Sequence, residues 1–126
     1  MYTANPYNVY KQNSVNMASS QQLLLMLLDG AVKYTKIARM AILNKDVPRA
    51  HKELVRVQDI FLELMITMDK NTVYMDDLYN LYDFIKNELA NANLKKDIKI
   101  IDEVLPLIEE IRDMWYEVDK KIKSSK

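Results

Sequence analysis

Side chains able to do chemistry are few in this sequence, and their spacing brings none of them together. His51 is the only histidine, which removes paired-imidazole zinc sites and proton relays with two imidazoles. Its helical neighbour four residues on is Val55, so His51 is expected to be a surface residue. Cysteine is absent, which removes disulfides, thiolate metal sites and thiol nucleophiles. Asp76-Asp77 and Glu109-Glu110 are adjacent carboxylates. On a helix adjacent residues point in different directions, so these pairs, like Glu63, belong to a solvated face and not to an acid–base couple. The Glu-x-x-His repeats of carboxylate di-iron bundles do not occur. With a single Gly, no glycine-rich turn can cradle a phosphate. Lys95, Lys96 and Lys99 form a small basic cluster beside Asp97 and Asp102, which are expected to neutralise it. No cofactor, metal or catalytic residue is expected, and the chain is expected to bind and not to catalyse.

The composition fits that reading. The 126 residues suffice for one domain with one core, and 49% apolar with 29% charged side chains is a globular mixture. One Gly and three Pro are too few for the turns of a β-sandwich or barrel. Lys plus Arg equals Asp plus Glu at 18 each, so the basic excess of a nucleic-acid binder is missing. The longest consecutive apolar run, Leu23 to Leu28, is far short of a membrane span. The first residues lack a basic segment followed by an apolar one, so no secretory signal is expected and the location is expected to be the cytoplasm.

The elements that would carry a binding surface are helices. The expected fold is all-α, an antiparallel up-down four-helix bundle with a short N-terminal capping segment. Residues 1–126 are expected to form a single domain, with an arm over 1–18 and helices over 19–44, 47–70, 73–93 and 97–123. Ser19 and Gln22 fit a capping box for the first helix. Asp46 and Asp97 are expected caps for the second and fourth. Pro106 either kinks the fourth helix or marks its start. Inward stripes at spacings of three and four are Leu23, Leu27, Gly30, Ala31, Tyr34, Ala38 and Ala41, then Ala50, Leu54, Val57, Phe61, Leu64 and Met68. The third helix supplies Leu78, Leu81, Tyr82, Ile85, Leu89 and Ala92, and the fourth Ile101, Val104, Ile108, Ile111, Trp115, Val118 and Ile122. Gly30 on an inward stripe suggests close approach of another backbone.

A bundle helix needs one apolar stripe, and this chain has more. Placed at about 100° per residue, Val55, Leu62 and Ile66 fall about 140° from the second helix's core line. Ile98, Leu105 and Tyr116 fall about 100° from the fourth helix's line. Leu25, Leu28, Val32 and Leu43 lie off the first line, and Tyr79 off the third. The uncharged, tyrosine-rich opening stretch, with Tyr7, Tyr10 and Val15, is expected to pack over part of such a surface. Isolated exposed apolar residues are ordinary. Stripes on three helices exceed what a short arm can hide, and point to a partner laid along the rod. Eight Met suit an adaptable surface, although filling the core is their commoner role.

Tyr10-Lys-Gln-Asn-Ser-Val15-Asn-Met-Ala18-Ser19, followed by Leu23-x-x-Met26-Leu27-x-Asp29-Gly30-Ala31, resembles the N-terminal signature of the flagellar secretion chaperone FliS family. Ala38, Ala41-Ile42 and Asn44-Lys45-Asp46 continue the likeness, as does the closing Ile111-Arg112-Asp113-Met114-Trp115. Met17, Ser20, Gln22 and Leu28 depart from the family's Thr, Pro, acid and Tyr, and the third helix is short. The resemblance implies an antiparallel bundle with an N-terminal capping segment. It also implies a cytoplasmic export chaperone that binds the disordered C-terminal segment of flagellin, prevents premature polymerisation and passes it to the flagellar export gate of the type III apparatus. The partner-binding residues expected from the surplus stripes and the arm are Tyr7, Tyr10, Val15, Leu25, Leu28, Val32, Val55, Leu62, Ile66, Tyr79, Ile98, Leu105 and Tyr116. A second regulatory partner, an anti-sigma factor or a flagellin-binding assembly factor, stays open, as does a monomer against a weak homodimer. Nucleic acid and membrane are not expected partners. The competing reading is a structural or adaptor bundle that self-associates through the same stripes.

Overall fold

A computed structural model describes residues 20–68 and 75–125 of the chain. The arm residues Tyr7, Tyr10 and Val15, the cap Ser19 and the break at Asn71-Thr72 lie outside these. Four helices follow one another: α1 Ser20–Leu43, α2 Val47–Ile66, α3 Met75–Lys95 and α4 Ile98–Ser124. Among the described residues there is no strand. Each helix packs on two neighbours, α1 on α2 and α4, α3 on α2 and α4, and the diagonal pairs do not approach. The result is a closed antiparallel ring of four, the arrangement that short connections between long helices impose.

The local chemistry of each boundary is visible. Asp46 caps α2 through Arg49 N, with Pro48 in the first turn, where its missing N–H is not needed. Asp97 caps α4 through Lys99 N at 2.9 Å. The α1–α2 and α3–α4 connections are two copies of one device. Ala41-Ile42-Leu43-Asn44-Lys45-Asp46-Val47 and Ala92-Asn93-Leu94-Lys95-Lys96-Asp97-Ile98 align residue for residue in role. Lys45 and Lys96 adopt positive φ, 60° and 50°, the left-handed position usually given to Gly. The next amide then reaches back five residues, Asp46 N to Ala41 O at 2.8 Å and Asp97 N to Ala92 O at 3.1 Å. In an up-down bundle both connections stand at the same end. Pro106 neither starts nor ends a helix, since α4 runs through it. Pro106 and Asp102, whose carbonyl it leaves without a helical donor, are both on the exposed side, where water can substitute.

The core is a single cluster of Leu23, Leu27, Leu28, Ala31, Leu54, Val57, Phe61, Tyr82, Ile85, Leu89, Ile101, Val104 and Ile108 with their neighbours. Most of the inward stripe residues are in it. Ile122 is not. It is exposed, because α4, at 27 residues, outruns the 21-residue α3 beside it. Gly30 admits no backbone either: the nearest groups to a Cβ placed there are the Tyr34 ring at 3.4 Å and Ile60 Cδ1 at 3.5 Å.

Polar groups inside the bundle are mostly paired, while Gln21 Nε2 and Glu53 Oε1 are buried without a hydrogen bond. Thr35 Oγ1 donates to Ala31 O at 2.7 Å. Trp115 Nε1 donates to Tyr82 Oη at 2.9 Å, and the Tyr82 ring meets Phe61 edge-on with centroids 5.8 Å apart. Burial pushes the Tyr82 phenol up to about 12, against the opposing pull of the Trp115 hydrogen bond. Buried Glu53 takes Arg49 Nε at 2.9 Å and Arg56 Nη1 at 3.3 Å. The Arg56 guanidinium in turn lies 4.4 Å from the Tyr34 ring centroid, which ties α2 to α1.

Candidate binding surface

Three links fix which sides α1 and α4 turn to each other. Tyr116 Oη donates to Asp29 Oδ2, Lys36 pairs with Glu109 at 3.7 Å, and Arg39 grips Asp102 through Nε at 2.6 Å and Nη2 at 3.3 Å. On the helical repeat Leu25, Leu28 and Val32 share the α1 side with Asp29, Lys36 and Arg39. Ile98, Leu105 and Tyr116 share the α4 side with Asp102 and Glu109. Two of the three surplus stripes therefore face one another.

This corrects the expectation that Leu25, Leu28, Val32, Ile98 and Leu105 lie free on the surface, whereas Tyr116 is exposed, at 42%. Leu28 is 0% exposed, and Leu25 and Val32 are buried. Leu105 is half-buried against the core, Ile98 is half-buried, and Tyr116 keeps an exposed ring edge while its hydroxyl is engaged. The physical reason is that a ring of four gives every helix two neighbours, so α1 buries a second stripe against α4. Tyr79 is also half-buried on the core; with Met68, Met75 and Asp76 it lines a cleft of about 220 Å³ at the other end of the bundle. Tyr7, Tyr10 and Val15 lie outside the described residues.

The α2 stripe stays open. Val55 is 37%, Leu62 47% and Ile66 64% exposed. His51 and Gln58 flank it, with His51 Nδ1 3.0 Å from the Asn93 side-chain nitrogen of α3. Arg56, about 100° round from Val55, meets the Tyr34 ring of α1, while the pairs of Glu53 with Arg49 and Arg56 stay within α2. The stripe is thus presented by a helix whose opposite side, with Leu54, Val57, Phe61 and Leu64, is packed into the core.

Sequence reasoning missed several exposed apolar side chains. Phe84 on α3 is half exposed and Met114 on α4 nearly so, while Leu94 is 82% exposed at the end of α3. Phe84 lies about 110° from the α3 core line on the helical repeat, on the flank opposite Tyr79, so the placement that singles out Tyr79 also marks it. Leu94 lies just past the expected end of the third helix at residue 93, whereas α3 continues to Lys95.

Among the described residues no group of His, Asp or Glu could hold a metal ion, and no helix is long and apolar enough to cross a membrane. What the described residues offer is apolar side chains held in fixed positions along helices.

The family model of the flagellar protein FliS matches residues 3–122. The flagellar secretion chaperone FliS of Bacillus subtilis is 36% identical, with 91% of this chain and 86% of that protein aligned. That of Salmonella typhimurium is 32% identical, over 96% and 95%. A crystal structure of a flagellar chaperone from bacteria superposes with a TM-score of 0.76 at 15% identity, covering 92% of this chain and 96% of that one; at that identity it shows the fold. The chain belongs to the FliS family of flagellar chaperones, which are not enzymes.

Proposed function

As a member of that family, the chain, we propose, is a cytoplasmic export chaperone. It holds the C-terminal segment of flagellin along the outside of its bundle, keeps it from polymerising and presents it to the flagellar export gate. The observation that carries this reading is the open stripe of Val55, Leu62 and Ile66 on a helix whose opposite side is packed into the core. An extended or helical segment can lie along such a stripe, anchoring every third or fourth residue. Tyr7, Tyr10 and Val15 are proposed to add to this contact.

A segment disordered when free loses entropy on docking, which offsets part of the contact energy. Apolar burial of roughly 1,000–3,000 Å² gives a negative heat-capacity change. With equal numbers of cationic and anionic side chains, affinity should vary little with salt. Calorimetry of the chain with the organism's flagellin C-terminal segment, at three temperatures and two salt concentrations, tests this. One-to-one binding with a clearly negative heat-capacity change and a shallow salt slope is expected. A heat-capacity change near zero with a steep salt slope would sink the reading. Light scattering during size exclusion separates the alternative, since a self-associating bundle would be a stable oligomer without flagellin.

A further inference from the structure

Phe84 and Met114, both exposed, stand together across the junction of α3 and α4. Asn93, which meets His51 of α2, lies on the Tyr79 flank of α3, so the opposite flank, with Leu81, Phe84 and Glu88, turns to α4. On α4, Asp102, Glu109 and Tyr116 reach α1. The opposite flank, with Leu107, Glu110 and Met114, turns to α3. The Trp115–Tyr82 hydrogen bond sets the register between the two helices. Counted antiparallel from that pair, Phe84 comes level with Asp113, beside Met114, and Glu88 level with Glu109, beside Glu110. Leu81 and Leu107 on the same flanks are half-buried against the core.

These four apolar side chains span roughly 14 Å along the helices, and the carboxylates among them lack cations. Glu88 accepts from the neutral Asn91 amide at 3.3 Å, and Glu110 has no ion pair among the described residues. The cations nearest in sequence, Lys86 and Arg112, lie about 160° round their helices and pair with Asp83 and Asp113. Lys95, Lys99 and Lys121 stand about two to three turns away, with Lys99 and Lys121 at helical spacing to Glu103 and Glu117. The middle of the face is therefore apolar and net negative.

From this we infer that the α3–α4 face docks a basic amphipathic helix of a second protein, separately from the α2 stripe. Phe84 and Met114 seat the apolar side of that helix, and a Lys or Arg beside it reaches Glu88 and Glu110. Both walls of the face are helices whose backbone groups are spent on their own hydrogen bonds. An incoming segment finds no strand edge and has to satisfy its own backbone, which a helix does. Unpaired carboxylates beside apolar side chains give this contact a salt dependence that the α2 stripe lacks.

The test uses the full chain and a synthetic peptide of about 14 residues, with Leu at helical spacing flanked by Arg, and a twin with Glu replacing Arg. The expected result is amide shifts confined to residues 81–91 and 103–118 on adding the Arg peptide. Affinity should fall about ten-fold in the Glu88→Gln/Glu110→Gln variant, and by a similar factor when salt rises from about 0.05 M to 0.5 M. Phe84→Ser should weaken the peptide with little change in melting temperature, because half of that ring is already in water. No binding at about 1 mM peptide, equal binding of the Glu twin, or shifts centred on residues 55–66 would each overturn the inference. So would displacement of the peptide by the flagellin segment, since the face would then belong to flagellin. A dimer of the free chain that Phe84→Ser dissociates would overturn it too, with a second copy as the occupant. The flagellin reading rests on residues 55–66, so loss of the peptide contact leaves it standing, and the reverse holds as well.

Discussion

Along the seam between α1 and α4, Leu28 has no exposed surface and Leu25 and Val32 are buried, whereas on the outside of α2 Leu62 and Ile66 keep about half or more of theirs in water. Both sets lie well off the core line of their own helix, and both are aliphatic. What separates them is the neighbouring helix. The seam is closed by α4, with Asp29, Lys36 and Arg39 linked across it. The α2 stripe faces outward past both α1 and α3. Surplus apolar residues on one helix thus argue for a partner only after both of its neighbours in the bundle have taken their share.

Substitution should separate the two regions most sharply through stability. Leu28→Ala leaves a cavity in a packed seam and should cost about 2–5 kcal/mol. Leu62→Ala removes a side chain already half in water and should change stability by about 0.5 kcal/mol or less. Urea unfolding of both variants measures this. Similar losses would show that α2 is as enclosed as α1 and would remove the basis for a docking stripe.

The converse test is functional. Leu62→Asp should leave the melting temperature nearly unchanged and weaken flagellin binding about ten-fold, since a docked apolar anchor is worth roughly 1.5 kcal/mol or more. Phe61→Asp, one residue away, should unfold the domain, because a charge among Leu54, Leu64 and Tyr82 cannot be solvated. Intact binding by Leu62→Asp would place the partner elsewhere, with Phe84 and Met114 on α3 and α4 the next apolar side chains to replace.

These paired residues also show how much was legible in the sequence. The core lines of all four helices were, because Leu54, Val57, Phe61 and Leu64, or Ile101, Val104, Ile108 and Ile111, recur with the helical period and face the bundle axis. The caps Asp46 and Asp97 were, because capping is local chemistry. The fate of Leu28 and Leu105 was not, since it depends on which helix sits beside which, and no single helix encodes that. Where Asp97 and Asp102 turn was hidden for a related reason: one accepts from a backbone amide, Lys99 N, and the other pairs with Arg39, 63 positions away.

The smallest expected effect probes the polar rim of the seam. Arg39 holds Asp102 with a two-pronged contact, Nε to Oδ1 and Nη2 to Oδ2. That hydrogen bond is the main reason the Asp102 carboxyl lies below its usual range, and it raises Arg39 in turn. A carboxyl that loses its proton more readily in the folded chain than in the unfolded one adds stability above its unfolded pKa. The contribution fades as pH falls through the folded value. Both side chains remain well exposed, so water and salt screen the pair and the contribution is modest. Asp102→Asn should therefore melt slightly below the parent near pH 7. The gap should narrow below about pH 4, as the parent's own Asp102 becomes protonated, and shrink at about 1 M salt. Circular dichroism melts of the two chains at pH 7, 4 and 2.5 measure it. A gap that stays constant across that range would mean the Asp102 charge adds nothing to the seam, leaving it to the buried Leu25, Leu28 and Val32 and the remaining links of Asp29 and Lys36. The contrast with α2 would then rest entirely on apolar packing.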